Sequence, residues 1–249
     1  MSTTKVIGRG VAAATAGVLL GWAGWAAVTW ARSGHIRRGR RAGELADRWL
    51  PEYEVDEAHD VYVAAPAEVT FAVATEMGMQ RSAVARAMVR ARERLMGARG
   101  GGGWLPGGIV TQMRRLGWSV LAEVPGRVVV LGTVTQPWHG DVEFHPVPAD
   151  EFRVFDRPGF VKLVTVLAAE PLGPDASLFH EQTRVATTDT EARARFRRYW
   201  AVFSPGILLI RLSLRRLVKR EAERRYREER ESWDRGGARL VQSELQSRG

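Results

Sequence analysis

The sequence contains no cysteine. Disulfides, thiolate metal sites, iron–sulfur clusters and cysteine nucleophiles are excluded together, although the redox compartment is not fixed by that absence. Lysine is nearly missing too: Lys5, Lys162 and Lys219 are three of 37 basic residues, which leaves 34 arginines. With 26 glycines and abundant alanine, this usage matches the codon bias of a high-GC bacterium. The number of arginines therefore says little, and their placement says more. Catalytic signatures are also wanting. There is no Gly-x-Ser-x-Gly elbow and no His-Glu-x-x-His pair, and the four glycines at 100–103 lack the Gly-Lys-Ser/Thr ending of a phosphate loop. The segment 97–108 around them reads as a flexible connection, with Trp104 and Leu105 placed to fold over a pocket mouth.

One absence points forward. From Val11 to Ala31 no residue is charged. At ~1.5 Å per helical residue, about 20 residues cross the ~30 Å hydrocarbon core of a bilayer. Ala and Gly dominate the segment, Leu19 and Leu20 add bulk, and Trp30 is placed for the interface. A cleaved signal peptide has a shorter apolar region, and the arginines that follow oppose export. A buried core helix is the other alternative. Gly8, Gly10 and Ala13 fit the spacing of a dinucleotide fingerprint, but no strand precedes them and Arg32 and Ser33 stand where an acid is needed. The expectation is one transmembrane helix. Lys5 and Arg9 precede it, whereas Arg32, Arg37, Arg38, Arg40 and Arg41 follow, so the remainder of the chain is expected on the cytoplasmic side of the inner membrane. Those arginines each add about 1 kcal/mol of attraction to an anionic leaflet. Gly17 and Gly21 form a small-xxx-small pair, a weak pointer to helix dimerisation.

The rest divides into a basic juxtamembrane linker at 32–52, a domain at 53–220 and a charged extension at 221–249, after an N-terminal tail at 1–10. Within the domain, Val55 to Val63 alternates as a strand. Pro66 opens a helix, and a second is expected from Ser82 to Met96 with Val84, Met88, Ala91 and Leu95 on its core face and Arg86, Arg90 and Arg94 opposite. Strands follow at 118–123, 127–135, 160–170 and 178–187, with another strand or irregular edge between Trp138 and Phe155. Thr188 and Glu191 form a capping box before a long helix. Phe196, Trp200, Phe203, Ile207 and Ile210 make one apolar stripe on it, which Pro205-Gly206 is expected to kink or break. Past Val218 the helix is charged with both signs, which suits a solvated extension better than a nucleic-acid arm, so no specific nucleic-acid partner is expected.

This order, with the stretches 59–69 (HDVYVAAPAEV), 118–132, 151–162 and 181–200, resembles the START-type (SRPBCC) superfamily, which includes polyketide-cyclase-like and pollen-allergen-like proteins. The resemblance covers about 53–221. It implies an α+β helix-grip fold, with a curved antiparallel sheet wrapped on a long C-terminal helix and an apolar cavity between them. It also implies a hydrophobic small molecule or lipid as ligand, lined here by Phe196, Trp200, Phe203, Ile207 and Ile210. The family offers no shared catalytic set, and no cofactor is expected.

Three functions stay open: a noncatalytic binding or carrier module, a cyclase-like or hydrolytic enzyme using His180, Tyr199 or Glu181, and a tethered scaffold with a filled core. The balance leans away from an enzyme. His139, Asp141, Glu143 and His145 are the one local set of possible metal ligands, and a polar edge strand is the simpler explanation of them. A reporter fused after Gly249 should be active only inside the cell; activity confined to the outside would overturn the orientation.

Overall fold

Alternation of apolar residues over five separate segments produces one antiparallel sheet, and the long helix lies across it. The computed structural model describes residues 17, 20–29, 37–38, 45–98 and 104–247. A two-stranded piece, β1 (Arg37–Arg38) with β2 (Glu52–Tyr53), precedes the main sheet. Then come β3 (Val55–Val63), α1 (Ala67–Glu76), a 3-10 turn (Met79–Arg81), α2 (Ala83–Met96) and α3 (Ile109–Leu116). The strands β4 (Ser119–Val124), β5 (Val128–Thr135) and β6 (Phe144–His145) follow, then α4 (Ala149–Phe152), β7 (Val161–Gly173), β8 (Ala176–Thr187) and α5 (Thr190–Ser247). The strand order is β3-β8-β7-β5-β4, with β6 paired to β5, and every pairing is antiparallel. An antiparallel sheet under a long C-terminal helix fits the expected α+β helix-grip arrangement.

Both faces of the sheet are covered. On one, Val129, Leu131, Leu167 and Phe179 pack with Phe71 and Val73 of α1 and with Val218 and Ala222 of α5. Farther along the same helix, Val55, Val161 and Val185 pack with Phe196 and Trp200. On the other face, Val130, Val164 and Val166 meet Phe152 and the triplet Ala46, Trp49 and Leu50. The end of the stretch expected to be a linker is thus built into the fold. Arg184 explains why. Its side chain is 1% exposed, ion-paired to Asp47 and, at 3.3 Å, to Asp56, with its guanidinium 4.5 Å from the Tyr53 ring centroid. A buried guanidinium demands compensating carboxylates, and Asp47 comes from this segment.

Four details depart from the sequence expectations. Ser82 does cap α2, accepting from Ala85 N–H at 3.0 Å, but the buried residue is Ala85, while Val84 and Leu95 are exposed. Met88 keeps its expected place, packing near Gly206 of α5, and Arg92 reaches across to the loop after β5. The helix α3 fills the stretch between the 97–108 connection and the strand that begins near 118, where no element was expected. Gly108 permits it, since a Cβ there would lie 2.3 Å from the Thr75 carbonyl oxygen. Asp189, not Thr188, caps α5: its carboxylate accepts from Ala192 N–H at 2.8 Å and from Gly159 N–H. Those backbone donors, Ala192 first, hold its carboxyl below the usual range. Finally, α5 is not broken at Pro205 but continues through it as one helix; neighbouring packing outweighs the single backbone hydrogen bond that proline removes.

Of the expected span, residues 17 and 20–29 are helical and the remainder lies outside the described residues. Among the described residues no helix is long and apolar enough to cross a membrane. Replacing Arg184 by Ala should cost about 3–5 kcal/mol in guanidinium unfolding at pH 7, because two carboxylates lose a buried partner. A loss below about 1 kcal/mol would show the clasp to be dispensable.

Candidate functional site

The stripe on α5 falls into two parts. Phe196 and Trp200 are 3% and 7% exposed and stack with ring centroids 5.6 Å apart over the β3–β8–β7 valines. Phe203, Ile207 and Ile210 are only half-buried. Tyr199 stands beside them, 4.9 Å from the Phe203 ring, with the Arg92 guanidinium 5.9 Å from its own. Arg92 also donates to the carbonyls of His139 (2.9 Å), Pro137 (3.2 Å) and Gly140 (3.3 Å), tying α2 to the loop after β5.

Below the half-buried residues the apolar interior gives way to an ionic layer. The side chains of Phe179, Glu181, Thr183 and Val185 face α5, because strand side chains alternate and Phe179 and Val185 are already in its core. Glu181 lies 3.9 Å from Arg211 Nε through Oε1 and 3.9 Å from Arg215 Nε through Oε2. His59 is directly opposite Glu181 in the β3–β8 register, and its Nε2 is 3.6 Å from Glu57. Thr165 and Thr183 share a 3.0 Å hydrogen bond nearby. Among the described residues, His59 Nε2, Arg215 Nε, Ser204 Oγ and Trp138 Nε1 are buried without a hydrogen-bond partner. Two of them, His59 Nε2 and Arg215 Nε, belong to the ionic layer, where each faces a carboxylate at 3.6 and 3.9 Å.

His180 and Glu181 do point to opposite faces. It is His180 that faces away from α5, with Nδ1 2.6 Å from Asp60. His59 takes the inward place. That was legible only through strand parity and register, since a lone histidine between Ala58 and Asp60 gives no local sign of which face it occupies. Arg211 and Arg215 left a clearer trace: they interrupt the apolar stripe at i, i+4 on the side of the helix that meets the sheet.

Two clefts lie elsewhere. One of about 450 Å³ is lined by Met96, Gln136, His139, Asp141, Glu143 and His145. The strand expected there shrinks to Phe144–His145, so the four candidate ligands share a cleft wall rather than a strand face. Among the described residues no group of three or more could hold a metal ion. The second cleft, about 300 Å³, lies between α1, α3 and the strands, with Phe71, Thr75, Val110 and Val129 in its wall.

No family model matches the chain, and no curated protein does. Similar solved structures include the Zhui aromatase/cyclase from Streptomyces sp. R1128, at 14% identity over 69% of this chain and 94% of that chain, TM-score 0.25. A conserved protein from Geobacillus kaustophilus matches at 12% identity over 66% and 95%, TM-score 0.30. A norcoclaurine synthase mutant from Thalictrum flavum matches at 12% over 66% and 93%, TM-score 0.22. At such scores the likeness bears no weight, and the fold rests on the strand order and packing above.

Burial pushes the His59 imidazole below the ordinary histidine range, and the Arg215 guanidinium adds to that shift. The folded state therefore prefers neutral His59, while the unfolded chain takes up a proton near pH 6.5. Stability should be fully present above that value and fall as the pH drops through it toward the lower folded value. His59→Phe should remove this part of the slope in urea unfolding between pH 7.5 and 5; an unchanged slope would place the titration elsewhere.

Proposed function

We propose that the chain is a binding or carrier module for a hydrophobic ligand, lipid or polyketide-like, held at the cytoplasmic face of the inner membrane by Val11 to Ala31. The ligand would lie between α5 and the sheet, against Phe203, Ile207 and Ile210, with Phe196 and Trp200 closing one end. The observation that supports this is the incomplete packing of those three side chains beside a layer of buried, loosely paired polar groups. An apolar wall with a few convergent polar groups is how a protein orients an amphiphile. The uncharged N-terminal segment and the arginines after it support the membrane tether.

A cyclase-like or hydrolytic enzyme is the second reading. It is favoured by one feature, a neutral imidazole at His59 opposite the Glu181 carboxylate, beside two arginines. Such a pair is the usual equipment for moving a proton.

Native mass spectrometry of the protein purified from its own cells should find a bound apolar molecule. Phe203→Ala should lose most of it at a stability cost below about 2 kcal/mol, whereas Trp200→Ala, in packed core, should cost about 2–5 kcal/mol. No bound molecule, together with a full core cost at Phe203, would leave the tethered scaffold. A His59→Ala variant that keeps a ligand the parent converts would favour the enzyme.

A further inference from the structure

Residues Tyr199 to Ile210 carry no charge, so this stretch of α5 is apolar on every side. A helix of that kind needs cover all round, not only where it meets the sheet. The sheet takes the Phe196–Trp200 side. The helix α2 takes a second side, through Met88 near Gly206 and the 2.7 Å bond between the Ser82 and Ser213 hydroxyls. A third side bears Val202, Gly206 and Leu209, and there the N-terminal helix at residues 20–29 comes down.

Its contact is built from specific parts. The Trp22 indole donates to the Val202 carbonyl at 2.9 Å. A Cβ on Gly206 would lie 3.6 Å from the tip of that indole and 3.4 Å from the Met88 sulfur, ordinary contact distances, so a side chain larger than alanine would collide with these two neighbours. Pro205 supplies no N–H to the Ala201 carbonyl, which loosens the adjoining turn of α5. An indole N–H, which can only donate, meets the Val202 carbonyl, the next one along from the Ala201 carbonyl that the proline leaves without its helical donor. Even when docked, the N-terminal helix leaves Leu20 74%, Val28 50% and Trp25 47% exposed, and beside it Val202 and Leu209 remain 46% and 43% exposed. Its apolar surface is only partly used.

We infer that the groove between α2 and α5 at Pro205–Gly206 is a seat for the N-terminal helix, and that an anionic bilayer competes with that seat for the same helix. The inference rests on the membrane-facing half of the proposed function. Seated, the helix covers the outer side of α5 behind the ligand wall. Drawn into lipid, it bares the Val202–Leu209 face and leaves α5 free to flex at Pro205. Ligand exchange is thereby tied to the membrane surface.

The test uses the full chain, which has no native cysteine. Spin labels on cysteines introduced at Ala27 and Arg220, both exposed, report the separation of the two helices by pulsed dipolar spectroscopy. Without lipid the distance should be single and narrow. Vesicles of phosphatidylglycerol and phosphatidylethanolamine should replace it by a longer, broader distribution. Gly206→Leu fills the seat, so it should abolish the narrow distance without lipid and raise vesicle partition about fivefold, the scale of one lost contact of this kind. Should that variant not fold, Trp22→Ala makes the same test from the other partner. The same distance with and without vesicles would overturn the inference, as would a narrow distance or an unchanged partition in the seat variants. Ligand content, weighed by native mass spectrometry on the same samples, judges the carrier reading separately.

Discussion

Twelve consecutive uncharged residues, Tyr199 to Ile210, lie on a helix that must carry them through water or hide them. Each large apolar side chain hidden there contributes about 1.5–3 kcal/mol relative to exposure. The sheet hides one side of them, and the remaining elements can be understood as what it takes to hide the rest. The α2 helix arrives capped at Ser82 and is tied to the loop after β5 by Arg92. The N-terminal helix arrives with an indole and meets a glycine. Glu54, itself buried, fixes the start of α5 by accepting from Arg193 at 2.9 Å and from Thr187 N–H at 2.9 Å.

The polar groups inside are held to a different standard from one face of the sheet to the other. On the outer face Arg184 is gripped by Asp47, Asp56 and the Leu50 carbonyl, and that region has the character of a structural clasp. Lys162, on the same face, donates to the Arg153 and Phe155 carbonyls at 2.9 and 3.1 Å, and burial brings it down to about 8. Under α5, by contrast, two arginines face Glu181 at 3.9 Å, about 1 Å beyond an ordinary charge-assisted hydrogen bond. The first face is closed for stability. The second is held by longer, looser ion pairs.

Strand β3 runs from Val55 to Val63, the limits that alternation indicated, because an edge strand with one covered face shows its period plainly. Helix α3 was hidden by its length: eight residues after a glycine-rich stretch offer two turns of pattern and no polar cap. The inward face of α2 is centred on Ala85 and Met88 rather than on Val84 and Leu95, and Arg92 spends its donors on three carbonyls, a use that helical spacing alone does not show. The segment 45–53 reads as polar because its buried apolar residues Ala46, Trp49 and Leu50, spaced for a single turn, are interleaved with Asp47, Arg48 and Glu52. At the site, the apolar stripe was readable from helical spacing alone. The ionic layer was not, since it sets Glu181 opposite His59, 122 positions earlier, and against Arg211 and Arg215, 30 and 34 positions later, and no local pattern encodes which faces will oppose each other.

The far end of α5 has a mechanical meaning. Among the described residues Tyr226 packs beside the Val218–Ala222 core and bonds to Asp175 in the β7–β8 turn. The helix continues to Ser247, so the 21 residues from 227 to 247 form an arm, about 32 Å long at ~1.5 Å per residue. Ion pairs run along its base, Arg224 to Glu228 at 2.6 Å and Arg225 to Glu229 at 3.4 Å, and stiffen it against bending. A rigid arm amplifies angle into distance: a rotation of about 10° at its base would sweep the tip through about 5 Å. Whatever grips that tip therefore has leverage on the helix that walls the interior, and small changes of packing inside would be broadcast as large displacements at the end.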